Sequence, residues 1–490
     1  MLQTIFFVNK ENENNDYLFI NLVFAFFPIS FVIGSLIVNL NLLLFCGLGI
    51  FYLKKKILET EFDPVIKIIF LFFIVILLSA ILSFSKTLYF EGYNGINTIP
   101  DCGNTNCLTA LSQLAKSLLF LRFFLLLITI YLLNKLDILN FKFFFLSAAL
   151  TSILISLDII YQYIFGYNTL GLPSTEYYNS GFFGDEYIAG GFLQRFSFFT
   201  ILFSILISKN NNYIKFIFPI FITLIISFGI LFSGSRMPVI LFLFGLCIIF
   251  ATNLKIKKII LLSILSFLIL SKFIISSDRQ YKFYLENAYV SFIGQAKTLV
   301  NITGIQKWTK TKRGEEEQSL KSKTTFHATN YEGLHKRVFL AALDTWKISD
   351  LTGKLLGNGI KSFRKDCWKL EDLPNYYLGE QVQTGKINRL CSNHPHNYYL
   401  EILVETGIAG LFIIITIGLF FVIFIFKNFK LFNSFNINNL ILFAAIISLI
   451  LETLPLKSTG SLFSTNNATY LILIASIVLA YKKLLNIKDL

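Results

Sequence analysis

With 490 residues, 55% of them apolar and only 15% charged, and a mean hydropathy of +0.66, the chain lacks the polar shell of a water-soluble globule. Its formal charge of +14 raises the question of nucleic acid, but most basic residues fall in short loops between apolar runs, where lysine sets membrane topology, so nucleic acid is set aside as a partner. The apolar runs are continuous and recur end to end, which selects membrane-spanning helices over a barrel of alternating strands.

In chain order, Met1–Asp16 is polar and carries neither a basic leader nor a cleavage site, so the first apolar segment is expected to serve as the membrane signal. Tyr17–Leu53 is too long for one crossing, and a break at Asn39 and Asn41 predicts a tight helical hairpin. Further spans are predicted near Pro64–Phe84, Ser117–Leu133, Phe143–Phe165, Ile188–Ile207, Ile214–Phe232, Pro238–Thr252 and Ile259–Ile275. Gly407–Phe426, Leu440–Leu454 and Ala468–Tyr481 complete about twelve. The expected fold is all-α: a polytopic transmembrane bundle with one large periplasmic loop domain, divided as 1–275 (nine spans), 276–399 (the partly helical loop domain) and 400–490 (three spans).

Short-loop lysines and arginines set the orientation. Fifteen, among them Lys54, Lys135, Lys255, Lys427 and Lys482, fall on one side, against five on the other (Lys86, Lys116, Arg195, Arg236 and Lys457). The richer side is placed in the cytoplasm. Cys102, Cys107, Cys367 and Cys391 then lie outside, where disulfides form, and proximity pairs Cys102 with Cys107 and Cys367 with Cys391. The long outer loop holds nineteen basic and twelve acidic residues, with a densely charged stretch at Lys307–Lys323 expected to be mobile. Val338, Phe339, Ala342, Leu343 and Trp346 recur at helical spacing, which predicts a helix lying on the bundle.

The most informative stretch is His394-Pro395-His396-Asn397. Pro395 suits the first turn of a helix, which would set His396 at a helix amino terminus on the outer membrane surface. A neutral imidazole there suits a general base for a hydroxyl nucleophile; a cap that only packs is the bland alternative. A metal site is the weaker reading, since His394 and His396 stand two apart with no third ligand evident and no Asp-x-Asp pair occurs in the chain. Arg236, in the Gly234-Ser235-Arg236 turn, offers a fork for phosphate, or else a plain interfacial anchor. Arg337 opens the loop-domain helix, where a solvated face is the alternative. Glu186 and Arg195 flank another outer junction and are expected to help line a cavity. Arg122 and Asp158, inside or near spans, mark either function or a buried pair. Gly407 and Gly410 are expected to permit close helix packing.

His396-Asn397 followed at family spacing by Gly407 and Gly410 resembles the signature of the O-antigen ligase and polymerase family of bacterial membrane glycosyltransferases. The Arg236 turn, and Arg337 followed by Asp350 and Gly357-Asn358-Gly359, also look like that family. The resemblance implies transfer of a glycan from an undecaprenyl-diphosphate carrier to an acceptor hydroxyl at the outer face of the inner membrane, with no cofactor and no essential metal. It maps the catalytic residues onto His396, Arg236 and Arg337, with His394, Asn397, Arg195 and Glu186 as substrate-binding candidates. The implied partners are the lipid-linked glycan, an acceptor glycolipid or glycan, and membrane lipids. A polysaccharide polymerase and a protein O-oligosaccharyltransferase share this donor chemistry. A non-catalytic lipid-linked glycan transporter, which would line its spans with charge at mid-depth, is the reading from a different class.

Overall fold

The computed structural model describes residues 17–484 apart from 55–59, 104, 176–177, 209–213, 254, 278–333, 380–382, 384, 429–432, 434–435 and 456. The leading Met1–Asp16 segment and the charged Lys307–Lys323 stretch lie outside the described residues.

The first apolar block is a hairpin, but it breaks elsewhere than expected. Helices α1 (Leu18–Ala25) and α2 (Phe27–Ile33) are nearly continuous, because Phe26 keeps helical angles and Ser30 N–H still donates to its carbonyl at 2.9 Å. The chain reverses at Gly34, with φ 131° and ψ 171°, and descends as α3 (Ser35–Leu53). That backbone conformation is open to glycine and closed to asparagine. Asn39 and Asn41 instead sit inside α3, where Asn39 donates to Thr465 Oγ1 at 3.5 Å and Asn41 is buried. Edge-on contact of Tyr17 with Tyr52, 5.6 Å between rings, closes the hairpin at its base.

The bundle continues through α4 (Pro64–Asn97), α5 (Ala110–Lys135), α6 (Phe141–Phe165), α7 (Ala189–Ser208), α8 (Ile214–Phe232), α9 (Arg236–Thr252) and α10 (Lys257–Ser277). Local chemistry sets the starts: Asp63, Thr109 and Asn140 each accept a backbone N–H of the following first turn, at α4, α5 and α6. Beyond the loop domain run α14 (Tyr398–Lys427), α15 (Ile437–Glu452) and α16 (Thr465–Leu484). Seven of the described helices, α3 to α8 and α14, are long and apolar enough to cross a membrane, and three shorter apolar helices accompany them. The chain is a polytopic, mostly helical membrane protein. Phenylalanine fills the space between helices: Phe24, Phe27, Phe45, Phe144, Phe196 and Phe199 are fully buried, with Phe24 touching Phe27, Phe45, Phe141 and Phe144.

Among its described residues the loop domain contains α11 (Leu334–Ile348), α12 (Leu351–Leu356), α13 (Phe363–Asp366) and two short parallel strands, β1 (Tyr376–Leu378) and β2 (Ile387–Arg389). The strands were not expected; three residues each carry too little alternation to register as strands in the sequence. Val338, Ala341 and Ala342 of α11 pack with Phe363, Cys367 and Leu370 against Val404 of α14, so α11 does lie on the bundle. Both disulfides form as proximity paired them, Cys102–Cys107 and Cys367–Cys391.

Two glycines dock this domain. Gly407 interrupts α14 with φ 67°, and a Cβ there would lie 2.4 Å from the Leu355 carbonyl. Reciprocally, Gly357 has φ 78°, and a Cβ on it would meet the Glu405 carbonyl at 2.3 Å. The α14 break frees that carbonyl, which accepts Gly359 N–H at 3.0 Å and Ser79 Oγ of α4 at 2.9 Å. Gly407 thus serves a backbone crossing rather than helix-on-helix packing, while Gly410 leaves room for the Thr406 hydroxyl of its own helix. Gly407→Ala and Gly357→Ala are therefore expected to prevent a stably docked domain. Gly34→Ala, with open space around its Cβ, is expected to carry only the backbone strain of about 1–3 kcal/mol. Detergent-solubilised melting curves check the ordering; equal melting points for all three would refute it.

Candidate functional site

Asn397 caps α14, accepting Tyr399 N–H at 3.0 Å and Leu400 N–H at 3.2 Å while its amide donates to the Pro455 carbonyl at 2.6 Å. Its polar groups are occupied by structure. Pro395 lies two residues before this cap and not in the first helical turn, so the helix starts three residues later than a proline at its first position would set it. His396, immediately before the cap, takes φ 56°, a left-handed conformation uncommon for a non-glycine residue. Its carbonyl accepts Thr459 N–H at 2.8 Å, which holds the segment against the α15–α16 loop. The His396 ring stands 4.2 Å from that of His394 and 5.3 Å, edge-on, from that of His335 at the start of α11.

Burial holds His396 neutral, down to about 4, with the neighbouring His394 and His335 reinforcing the effect. Burial and then the nearby Arg364 cation hold His394 down to about 4 as well. The sequence points to a neutral imidazole through the helix dipole, whereas desolvation is the larger cause here. The third histidine went unnoticed because His335 lies sixty-one positions before His396. Among the described residues, no group of three or more His, Cys, Asp or Glu is placed to hold a metal ion.

Beside the histidines, across the Lys457–Gly460 loop, opens a cavity of about 410 Å³. Glu186 and Arg195 both line it, together with Lys457, Tyr398, Asn467 and a wall of Phe31, Phe183, Phe192 and Phe196. Its electrostatic anchor is Glu452, at 0% exposure. Arg195 grips that carboxylate with two bonds, Nη2–Oε1 at 2.7 Å and Nε–Oε2 at 3.2 Å, and a third reaches Asn467 Oδ1 at 2.7 Å. Lys457 Nζ lies 2.6 Å from Oε2, and Tyr398 donates its hydroxyl to Oε1 at 2.7 Å. Two cations share this one buried carboxylate, so the triad keeps one net positive charge, and Glu186 brings a second carboxylate to the same lining. Burial pulls the Lys457 ammonium below its ordinary range, although Glu452 pulls it back up.

The other candidates lie apart from this arrangement. Arg236 is the first residue of α9, exposed at the cavity's edge, where its neighbours Ser235, Met237 and Pro238 line the wall. Arg337 is 7% exposed, and its guanidinium donates to the carbonyls of Gly379 and, at 3.3 Å, Arg389. Two residues along a helix is roughly opposite faces, so Arg337 meets the β1–β2 unit while His335 meets His396. Arg122 and Asp158 do not form the buried pair considered for them. Arg122 donates to the Leu119 carbonyl at 2.7 Å, and Asp158 accepts both the amide and the hydroxyl of Thr169.

Glu452, Lys457 and Tyr398 were missed. Glu452 is an acid inside an apolar run, and intramembrane acids are a legible signal; Lys457 was counted only as a topology marker.

A mostly helical membrane protein with a disulfide-bonded loop domain, an aromatic-walled cavity lined by Arg195 and Lys457, and a cluster of neutral histidines beside it defines the class. Residues 221–415 match a family model described as O-antigen ligase, which bears out the resemblance carried by His396, Gly407 and the Arg236 turn. The match runs from within α8 to the middle of α14 and leaves Arg195, Glu452 and Lys457 outside it. No curated protein matches the chain.

Proposed function

We propose that the protein transfers a glycan from a polyprenyl-diphosphate carrier to an acceptor hydroxyl, as an O-antigen-ligase-type enzyme of the bacterial inner membrane. The observation that carries this is the shared loop: Lys457–Gly460 walls the Arg195–Glu452–Lys457 cavity on one side and holds His396 and His335 on the other. A diphosphate seated against Arg195 and Lys457 would find the triad's net positive charge, which stabilises it as a leaving group. The aromatic wall suits the first units of a prenyl chain. His396, neutral by burial, takes the acceptor proton as the hydroxyl attacks the anomeric carbon and the carbon–oxygen bond to the diphosphate breaks. Arg236, at the cavity mouth, is assigned to the outgoing diphosphate. Arg337 acts by holding α11, and with it His335, in place. His394 and Glu186 flank the acceptor and donor sides; Asn397 fixes the direction in which α14 starts. No cofactor is invoked.

The reading also carries twelve crossings, counting α1 and α2 as one, with residues 276–399 on the periplasmic face. The Cys102–Cys107 loop supports this sidedness. Asn106 N–H donates to Asn393 Oδ1 at 2.9 Å, and Trp368 Nε1 to Thr105 Oγ1 at 3.0 Å, so this loop and the loop domain share one face. A membrane-impermeant maleimide is expected to label Glu371→Cys and not Lys427→Cys in intact spheroplasts, in a background without Cys46 and Cys247. The reverse pattern would turn the site to the cytoplasm and end the assignment.

Deletion of the gene is the direct test. A ligase leaves carrier-linked glycan accumulated and the acceptor bare; a polymerase leaves single units on the acceptor. Arg195→Ala is expected to reproduce the deletion while the protein still inserts, with Arg195→Lys partial because an ammonium cannot make the paired bonds to Glu452. An unchanged glycan profile in the deletion strain would overturn the proposal.

A further inference from the structure

Near His394, and outside the lining of the cavity, stands a second group of cations. Arg364, just before the Cys367–Cys391 disulfide, donates Nη1 to the Asn106 carbonyl at 2.6 Å and Nη2 to the Asn393 carbonyl at 3.2 Å. Both partners are neutral, so the guanidinium is fixed in place with no carboxylate in hydrogen-bond contact, and its buried Nε has no acceptor. Lys361 is pinned through its backbone, at φ 63°, with its N–H on Glu405 Oε2 at 2.5 Å. Neither Lys361 nor Lys116 of α5 makes a hydrogen bond or ion pair through Nζ among the described residues.

The buried acids Glu401 and Glu405 offset this charge only in part, two carboxyl groups against three cations, and neither places an oxygen on a cationic side chain of the group. Glu401 spends both oxygens on Ser461 Oγ and Leu462 N–H, at 2.5 and 2.6 Å. Glu405 offers one oxygen to Lys361 N–H, and its other, Oε1, is fully buried with no donor. His394 Nε2 is likewise buried and unpartnered. Gln113 of α5, one turn before Lys116, donates its amide to the Asn358 carbonyl at 2.9 Å, which brings α5 against the segment that carries Lys361 and Arg364. Burial and the Lys116 and Arg364 cations lower the Lys361 ammonium further than Glu405 and Glu401 raise it, and Arg364 and Lys361 act likewise on His394. Holding like charges together on rigid, disulfide-bound supports is unfavourable unless an anion joins them.

The geometry points to a second anion-binding site, formed by Lys116, Lys361 and Arg364 and separate from the Arg195–Lys457 cavity, that takes a phosphate-class group of the second substrate. The assignment of that anion to the acceptor rests on the transfer reaction proposed above; the anion site itself does not.

The full-length protein in lipid nanodiscs, titrated calorimetrically with inorganic pyrophosphate, separates the two. Wild type is expected to show two binding events, Arg195→Gln to lose one, and Lys116→Gln/Lys361→Gln to lose the other. Lys116→Arg/Lys361→Arg, which keeps both charges, is expected to retain it. An isotherm unchanged by the glutamine pair, or a loss equal in the arginine pair, overturns the site whether or not the protein transfers glycan. Transfer kinetics then identify the source of the anion. A tenfold or greater rise in KM for a phosphorylated acceptor, with KM for its dephosphorylated form and for donor unchanged, assigns the site to the acceptor. A rise confined to the donor assigns the anion to the carrier and overturns the acceptor role. Should the glutamine pair fail to fold, the wild type decides. Acceptor KM rising with salt only for the phosphorylated form supports the site, and equal slopes overturn it.

Discussion

His396→Ala is expected to lower the transfer rate on the order of 10²- to 10⁴-fold, the span that a positioned general base supplies, while donor binding stays near that of the wild type. Donor affinity survives because Arg195 and Lys457 are held by Glu452 and not by the imidazole. His394→Ala is expected to be milder, since that ring stands 4.2 Å from His396 and supports it. The pH profile carries the sign. The working form is neutral, and burial holds the folded pKa down to about 4, so the rate should stay level from pH 7 to 5 and fall only as pH drops through about 4. An ordinary surface imidazole would lose activity near 6.5. Stability follows the same linkage. The unfolded chain protonates His394 and His396 near 6.5, so their contribution is present above that pH and is lost as pH falls toward the folded values of about 4.

Glu452→Ala is expected to be the most damaging single change to stability. It leaves Arg195 and Lys457 buried without a counter-charge and Tyr398 without its acceptor, and stripping one partner from a buried pair costs about 3–5 kcal/mol. Glu452→Gln keeps the shape and one acceptor oxygen but loses the charge and the second acceptor, and should fall between Glu452→Ala and wild type. Lys457→Met removes only one of the two cations and leaves Arg195 paired, so its effect on melting should be small, while donor affinity weakens. A melting curve for Glu452→Ala matching wild type would mean that the carboxylate does not organise the cavity.

Much of the fold was readable because lipid imposes length and continuity on spans. The helices over Phe141–Phe165 and Ile214–Phe232 lie within a few residues of the predicted ones. The Gly34 reversal was hidden because a glycine among small and apolar residues looks like any span interior, while paired asparagines look like a turn. The site was half legible. His396 and His394 announced themselves by spacing, and Glu186 and Arg195 by their position at an outer junction. The rest is assembled across the chain: Glu452 meets Arg195 from 257 positions away, and His335 comes to His396 only when α11 packs on α14. Glycines 357 and 407 carried the docking instruction openly, yet their meaning is a reciprocal backbone contact that no single segment contains.

The central claim is that the Arg195–Glu452–Lys457 cavity and His396 together perform glycan transfer from a diphosphate carrier. Purified protein incubated with a lipid-linked donor and an acceptor glycolipid, followed by mass spectrometry of both products, tests it directly. The expected result is glycosylated acceptor and free polyprenyl diphosphate in equal amounts from wild type, with neither formed by His396→Ala or Arg195→Ala, although both variants retain the wild-type fold. Equal product from wild type and both variants, or carrier translocated across the bilayer with its glycan still attached, would contradict it.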